Sequence, residues 1–131
     1  MPWIELISLL ALLQYLVFGA LVGKARAQYG VKAPSTTGHE IFERVYRVQM
    51  NTLELLVVFL PSLWLAAKYW SPSLVAAVGS IYIFGRLLYS RAYVRAPASR
   101  GLGHMLSLLP VVTLLVAALV GLAISAFASW R

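Results

Sequence analysis

The sequence contains no cysteine and no aspartate among its 131 residues, and only 11% of them are charged. Without cysteine there can be no disulfide, no thiolate metal site and no cysteine nucleophile. So little charge, against about 25% in an average soluble domain, excludes a disordered chain. It also argues against a soluble globule, whose surface would lack polar cover. No repeat or low-complexity tract interrupts the chain, and its length allows a single domain, 1–131. A secretory leader is not expected. No basic segment precedes the first apolar run, and Glu5 lies inside it.

What is present is apolar and basic. Hydrophobic residues make up 61%, the mean hydropathy is +0.82 and the net charge is +7. In a soluble protein that charge would point to nucleic acid. In so apolar a chain it points to cytoplasmic loops and to cations held at membrane depth, with no nucleic-acid partner. Four stretches are long and apolar enough to cross a bilayer, at about 3–27, 39–68, 73–95 and 101–130. The expected fold is an all-α membrane protein, a bundle of four transmembrane helices.

The connections are short. Tyr29 to Gly38 reads as a loop, and Thr37 followed by Glu40 fits a capping box opening the second helix. Pro97 should end the third helix, and Pro110 should bend the fourth. Lys24, Arg26 and Lys32 surround the first loop, and Arg91, Arg95 and Arg100 the third. The positive-inside rule then places loops one and three in the cytoplasm and both termini outside. Trp3, Trp64, Trp70 and Trp130 fall near the outer helix ends, where aromatic belts form.

Two polar stripes interrupt this pattern. At 100° per residue, Glu43, Arg44, Arg47, Asn51 and Glu54 share one sector of the second helix. Lipid would not tolerate that stripe, so it must face protein or a wet cleft. Either Arg47, Asn51 and Glu54 neutralise one another in a buried network, or they receive a ligand. On the third helix Tyr82, Arg86, Tyr89 and Tyr93 recur at spacings of four, three and four, on one face. Tyrosine stripes serve packing as well as binding. Guanidinium binds carboxylates bidentately, and a phenol can donate to a carboxylate or thiolate. Together the stripes suit a small zwitterion with several carboxylates and an amine.

The run Phe42-Glu43-Arg44-Val45-Tyr46-Arg47-Val48-Gln49-Met50-Asn51-Thr52-Leu53-Glu54 resembles the signature of the MAPEG family, membrane-associated proteins in eicosanoid and glutathione metabolism. Tyr82 to Arg100 is similar to the family's third helix and following loop. The likeness is strongest to the leukotriene-C synthase and microsomal glutathione transferase branches. It implies a homotrimer with intersubunit glutathione sites near the cytoplasmic side. By motif match, Arg26, Arg47, Gln49, Asn51 and Glu54 would come from one subunit, and Arg86, Tyr89 and Tyr93 from its neighbour. Arg100 matches the arginine that faces the glutathione sulfur. Catalysis would rest on Arg100 and Tyr93, with glutathione as co-substrate, a hydrophobic acceptor from the bilayer and no metal.

Two departures narrow this reading. Ala27 replaces the second arginine of an adjacent pair, and Leu55 replaces a tyrosine beside the binding glutamate. A general glutathione transferase or peroxidase is therefore expected in preference to a leukotriene synthase. A non-catalytic MAPEG-type binding protein and a small four-helix transporter are the other function classes. Short loops suggest a bacterial inner-membrane protein. Arg91 and Arg95 are expected to meet lipid head groups or set topology. Glu5 is expected at interfacial water, His39 in the loop, and His104 as a satisfied residue at a helix start.

Overall fold

The computed structural model describes residues 1–130. Four long helices follow one another: α1 Pro2–Tyr29, α2 Glu40–Tyr69, α3 Pro72–Arg95 and α4 Gly101–Ser129. Each has 24 to 30 residues, a rise of about 36–45 Å, enough to cross a hydrocarbon core of about 30 Å. All four are apolar enough to span a membrane. The protein is an all-α membrane protein, as its hydropathy requires.

The helix ends follow local chemistry. Gly30 closes α1 in the left-handed region, at φ 66°, and its N–H donates to the Arg26 carbonyl. Pro2 and Pro72 stand in the first turns of α1 and α3, where a missing N–H costs nothing. Ala96 is extended before Pro97, which ends α3; a short 3-10 turn, Pro97–Ser99, leads into α4. α2 corrects one expectation. Its cap is His39, whose Nδ1 accepts from the Ile41 N–H at 3.2 Å. Thr37 lies outside the helix, so no Thr37–Glu40 capping box forms. Stacking of the His39 ring on Tyr29, with centroids 4.0 Å apart, holds it at the cap.

The bundle packs through small residues and a few polar bridges, as expected where lipid is as apolar as leucine. Gly103 lies against the backbone of Tyr89, and Gly85 against that of Leu106 and Ser107, bringing α3 and α4 together. Gln14 of α1 donates to the Ile83 carbonyl of α3 at 2.9 Å. Trp64 Nε1 donates to Ser8 Oγ at 2.9 Å, and Trp70 Nε1 to the Ala117 carbonyl at 2.8 Å. The core gathers Ile4, Phe59, Leu63, Ala66 and Leu114, while Leu9, Leu16, Val57, Phe84 and Leu119 point outward.

Tyr82 departs from its stripe. It is fully buried in this core, stacked on Phe59 with centroids 3.9 Å apart. Its register matches that of the other tyrosines, but its depth in the bundle gives it an apolar neighbour.

Candidate active site

α2 and α3 lie side by side and are tied by one buried cation. Arg86 is fully buried, and its guanidinium divides between two acceptors on α2. Nη1 donates to Asn51 Oδ1 and Nη2 to Thr52 Oγ1, each at 3.0 Å. The group also lies over the Tyr89 ring, 4.2 Å from its centroid. Thr52 in turn donates to the Val48 carbonyl at 2.7 Å. Arg86 thus stands behind Asn51 and Tyr89.

The bond to Arg86 aims the Asn51 oxygen inward and its amide nitrogen outward. That nitrogen donates to Glu54 Oε2 at 3.5 Å, and Glu54 Oε1 lies 3.5 Å from Arg47 Nη1. The Arg47 and Glu54 side chains are 52% and 56% exposed. A pair that exposed is worth at most about 1 kcal/mol, so it adds little to the fold. The buried neutralising network considered from the sequence does not form within the chain. The ion pair stands at its surface, open to an incoming ligand.

Facing this edge, Tyr89 and Tyr93 stack with centroids 5.5 Å apart. Arg100 caps the start of α4, and its Nη1 donates to the Pro97 carbonyl at 3.1 Å. His104 lies one turn on, its ring 6.3 Å from that of Tyr89. Arg47, Asn51, Tyr89, Tyr93, Arg100 and His104 line one cavity of about 340 Å³. The set offers two guanidiniums, an amide, an imidazole and two phenols. Such a set holds carboxylates and favours an anion at its centre.

Residues of both stripes meet within a single chain. Arg47 and Asn51 meet Tyr89, Tyr93 and Arg100 within one chain, because Arg86 joins α2 to α3 there. Arg26 and Gln49 are the residues that stand apart. Arg26 Nη1 donates to the Ser35 and Val31 carbonyls at 2.7 and 3.4 Å, and its guanidinium lies over Phe42. Gln49 packs toward Gly19 of α1. Neither lines the cavity.

Arg44, placed in the stripe by its spacing, serves another end. It pairs with Glu40 and donates to the Val94 and Arg95 carbonyls at 3.1 and 3.3 Å, capping α3. Thr52 went unnoticed because threonine passes as apolar in a membrane helix. Its one signal was its place beside Asn51, opposite the most deeply placed of the three arginines of the third span. His104 joins the cavity lining instead of being satisfied by its own helix start.

Among the described residues no group of three or more His, Asp or Glu could hold a metal ion.

Comparison with known proteins agrees with the motifs. The MAPEG family model matches residues 4–120. An uncharacterised protein of Synechocystis sp. is 48% identical, over 92% of this chain and 88% of its own length. Microsomal glutathione S-transferase 2 of Homo sapiens is 40% identical, over 83% of this chain and 76% of its own. Leukotriene C4 synthase of Cavia porcellus is 39% identical, over 72% of this chain and 63% of its own. With a four-helix fold, a match over nearly its whole length and such relatives, this chain belongs to the MAPEG family.

Proposed function

We propose that the protein is an integral-membrane glutathione transferase with hydrophobic acceptors, able also to reduce lipid hydroperoxides. The observation that supports it best is the meeting of Arg47, Asn51, Tyr89, Tyr93 and Arg100 around one cavity. The names of the microsomal transferase and leukotriene synthase relatives point the same way.

Arg47 and Asn51 would hold glutathione carboxylate and peptide groups, and Glu54 the ammonium. Arg86 keeps Asn51 and Tyr89 in place from behind. A thiol has a pKa of about 8.5, so at neutral pH it is mostly protonated and weakly nucleophilic. The Arg100 guanidinium beside the sulfur would stabilise the thiolate, with the Tyr93 hydroxyl as a second donor. In transfer, sulfur bonds to the electrophilic carbon and the leaving group departs with its electron pair. In reduction, the thiolate sulfur attacks the terminal peroxide oxygen, the O–O bond breaks, and the lipid alkoxide takes a proton from water to leave as an alcohol. A second glutathione then reduces the resulting sulfenic acid to the disulfide and water.

Arg26 and Gln49 would complete the site from a neighbouring protomer in a homotrimer. They lie off the cavity of their own chain, on the α1 side of the bundle. The first and third loops, with Lys24, Lys32 and Arg100 in or beside them, would face the cytoplasm, with both termini outside, in a bacterial inner membrane.

The test is glutathione binding by the purified protein and its conjugation to a hydrophobic electrophile such as a chloronitrobenzene. Turnover supports the enzyme. Binding without turnover on any electrophile or hydroperoxide favours a non-catalytic binding protein instead.

A further inference from the structure

α1 and α3 touch in one half of the bundle and separate in the other. Ile7 meets Gly79 and Gln14 meets Ile83, but beyond Phe18 the two helices diverge. The gap is a groove of about 470 Å³, walled by α1 and α3 and floored by α2. Phe18, Leu21, Ile41, Val45, Val48 and Val94 give it an apolar lining. At its wet end stand Lys24, Arg91 and Arg95, all exposed. No acidic side chain lines it.

These three cations differ from the others nearby. Arg44 is paired with Glu40 and caps α3, and Arg26 is spent on the first loop. Among the described residues, the side chains of Lys24, Arg91 and Arg95 have no ion pair and no hydrogen-bond partner. Each can reach water at the end of an aliphatic stem, but three on one rim repel one another. The groove is also separate from the catalytic cavity. It opens on the face of α3 that carries Arg91 and Val94, away from the face of Tyr89 and Tyr93.

We propose that this groove binds one anionic phospholipid of the surrounding leaflet, its acyl chain against Val45, Val48 and Val94 and its phosphate among Lys24, Arg91 and Arg95. An apolar slot that ends in uncompensated positive charge is complementary to an amphiphile with a negative head. A zwitterionic lipid fills the slot but brings a cation of its own beside its phosphate, so it leaves the positive charge of the rim uncompensated. Inorganic phosphate or glycerol phosphate pairs with the cations but leaves the slot empty. Surface attraction alone would gather anionic lipid around the basic residues without a fixed number per chain. The groove adds a defined place, and so a defined stoichiometry.

The experiment uses the full-length protein, delipidated in a neutral detergent. Phosphatidylglycerol, phosphatidylcholine and glycerol phosphate are added separately. Bound lipid is counted by native mass spectrometry, and the thermal unfolding midpoint is followed. The expected result is saturation at one phosphatidylglycerol per chain with a raised midpoint, and no such effect from the other two. The double variant Arg91→Gln/Arg95→Gln changes two exposed side chains, so it folds. It should bind phosphatidylglycerol about 30-fold more weakly, at about a factor of five or six for each lost charge. Val45→Trp should block the slot and also lower retention. Equal binding of phosphatidylcholine, equal stabilisation by glycerol phosphate, or unchanged binding by the double variant would each overturn the proposal.

Discussion

Arg86 Nη1 donates to Asn51 Oδ1 at 3.0 Å, linking the middle of α3 to the polar stripe of α2 across 35 residues of sequence. The cation is fully buried and has no carboxylate among its hydrogen-bond partners. It is held by two neutral oxygens and the face of Tyr89. Burying a charge on such terms is costly, and Arg86 touches the cavity only through its neighbours. These contacts support a positioning role for Arg86, holding Asn51 and Tyr89 at the cavity.

Arg86→Leu should accordingly weaken both the fold and the site. Hydrogen bonds to charged groups are worth about 1.5–3 kcal/mol each, and the variant loses two while leaving Asn51 Oδ1 without its donor. We expect a lower unfolding midpoint in detergent and weaker glutathione binding. Arg86→Lys should recover only part of this, since one ammonium cannot reproduce the planar fork. An unchanged midpoint in Arg86→Leu would contradict the positioning role.

Gly103 should tolerate no side chain. A Cβ there would run into the backbone of Tyr89, and backbone cannot turn aside as a flexible side chain can. Gly103→Ala should destabilise the bundle by about 1–3 kcal/mol and shift Tyr89. Gly23→Ala is the control, because a Cβ at Gly23 meets nothing within 4 Å. That variant should be neutral or more stable by about 0.5–1 kcal/mol. Paired thermal unfolding curves measure the contrast.

Tyr93→Phe keeps the stack on Tyr89 and removes only the hydroxyl. If that hydroxyl donates to the thiolate, conjugation should slow about tenfold or more while glutathione still binds, since a hydrogen bond to a charged group is worth at least about 1.5 kcal/mol. A rate equal to that of the parent protein would leave Arg100 as the only donor.

Mixed oligomers test whether sites are shared between protomers. Gln49→Leu removes the amide proposed to reach a neighbour's site, and Arg100→Ala removes the guanidinium of a chain's own cavity. Oligomers of either variant alone should be weakly active. Co-expressed with separate tags and purified through both, they should regain activity, because some sites then draw Gln49 from one chain and Arg100 from the other. Mixed oligomers no more active than the average of the two would show that Gln49 works within its own chain or not at all.

The four spans were legible because hydrocarbon demands about 20 apolar residues from any helix that crosses it. The α2 stripe was legible because Arg47, Asn51 and Glu54 recur at helical spacing in a region where polar groups are expensive. Contacts between distant residues were not. Arg44 shares the sector of Arg47, yet the end of α3, 50 residues away, captures it. Tyr82 keeps the spacing of Tyr89 and Tyr93, but spacing reports direction around a helix and not depth along the bundle. Thr37 carries the right side chain for a cap, while stacking on Tyr29 gives the position to His39. The pairing of α2 with α3 in one chain depends on how helices pack, which periodicity leaves open.

The central claim is that Arg100 turns bound glutathione into its thiolate. The direct measurement is the ultraviolet absorbance of the thiolate in glutathione bound to the purified protein and to Arg100→Ala, taken across pH, with conjugation rates in the same samples. We predict that Arg100→Ala still assembles and binds glutathione, that its thiolate appears at least about one pH unit higher, and that conjugation at neutral pH falls about tenfold or more. The same thiolate titration and an undiminished rate in Arg100→Ala would contradict the account.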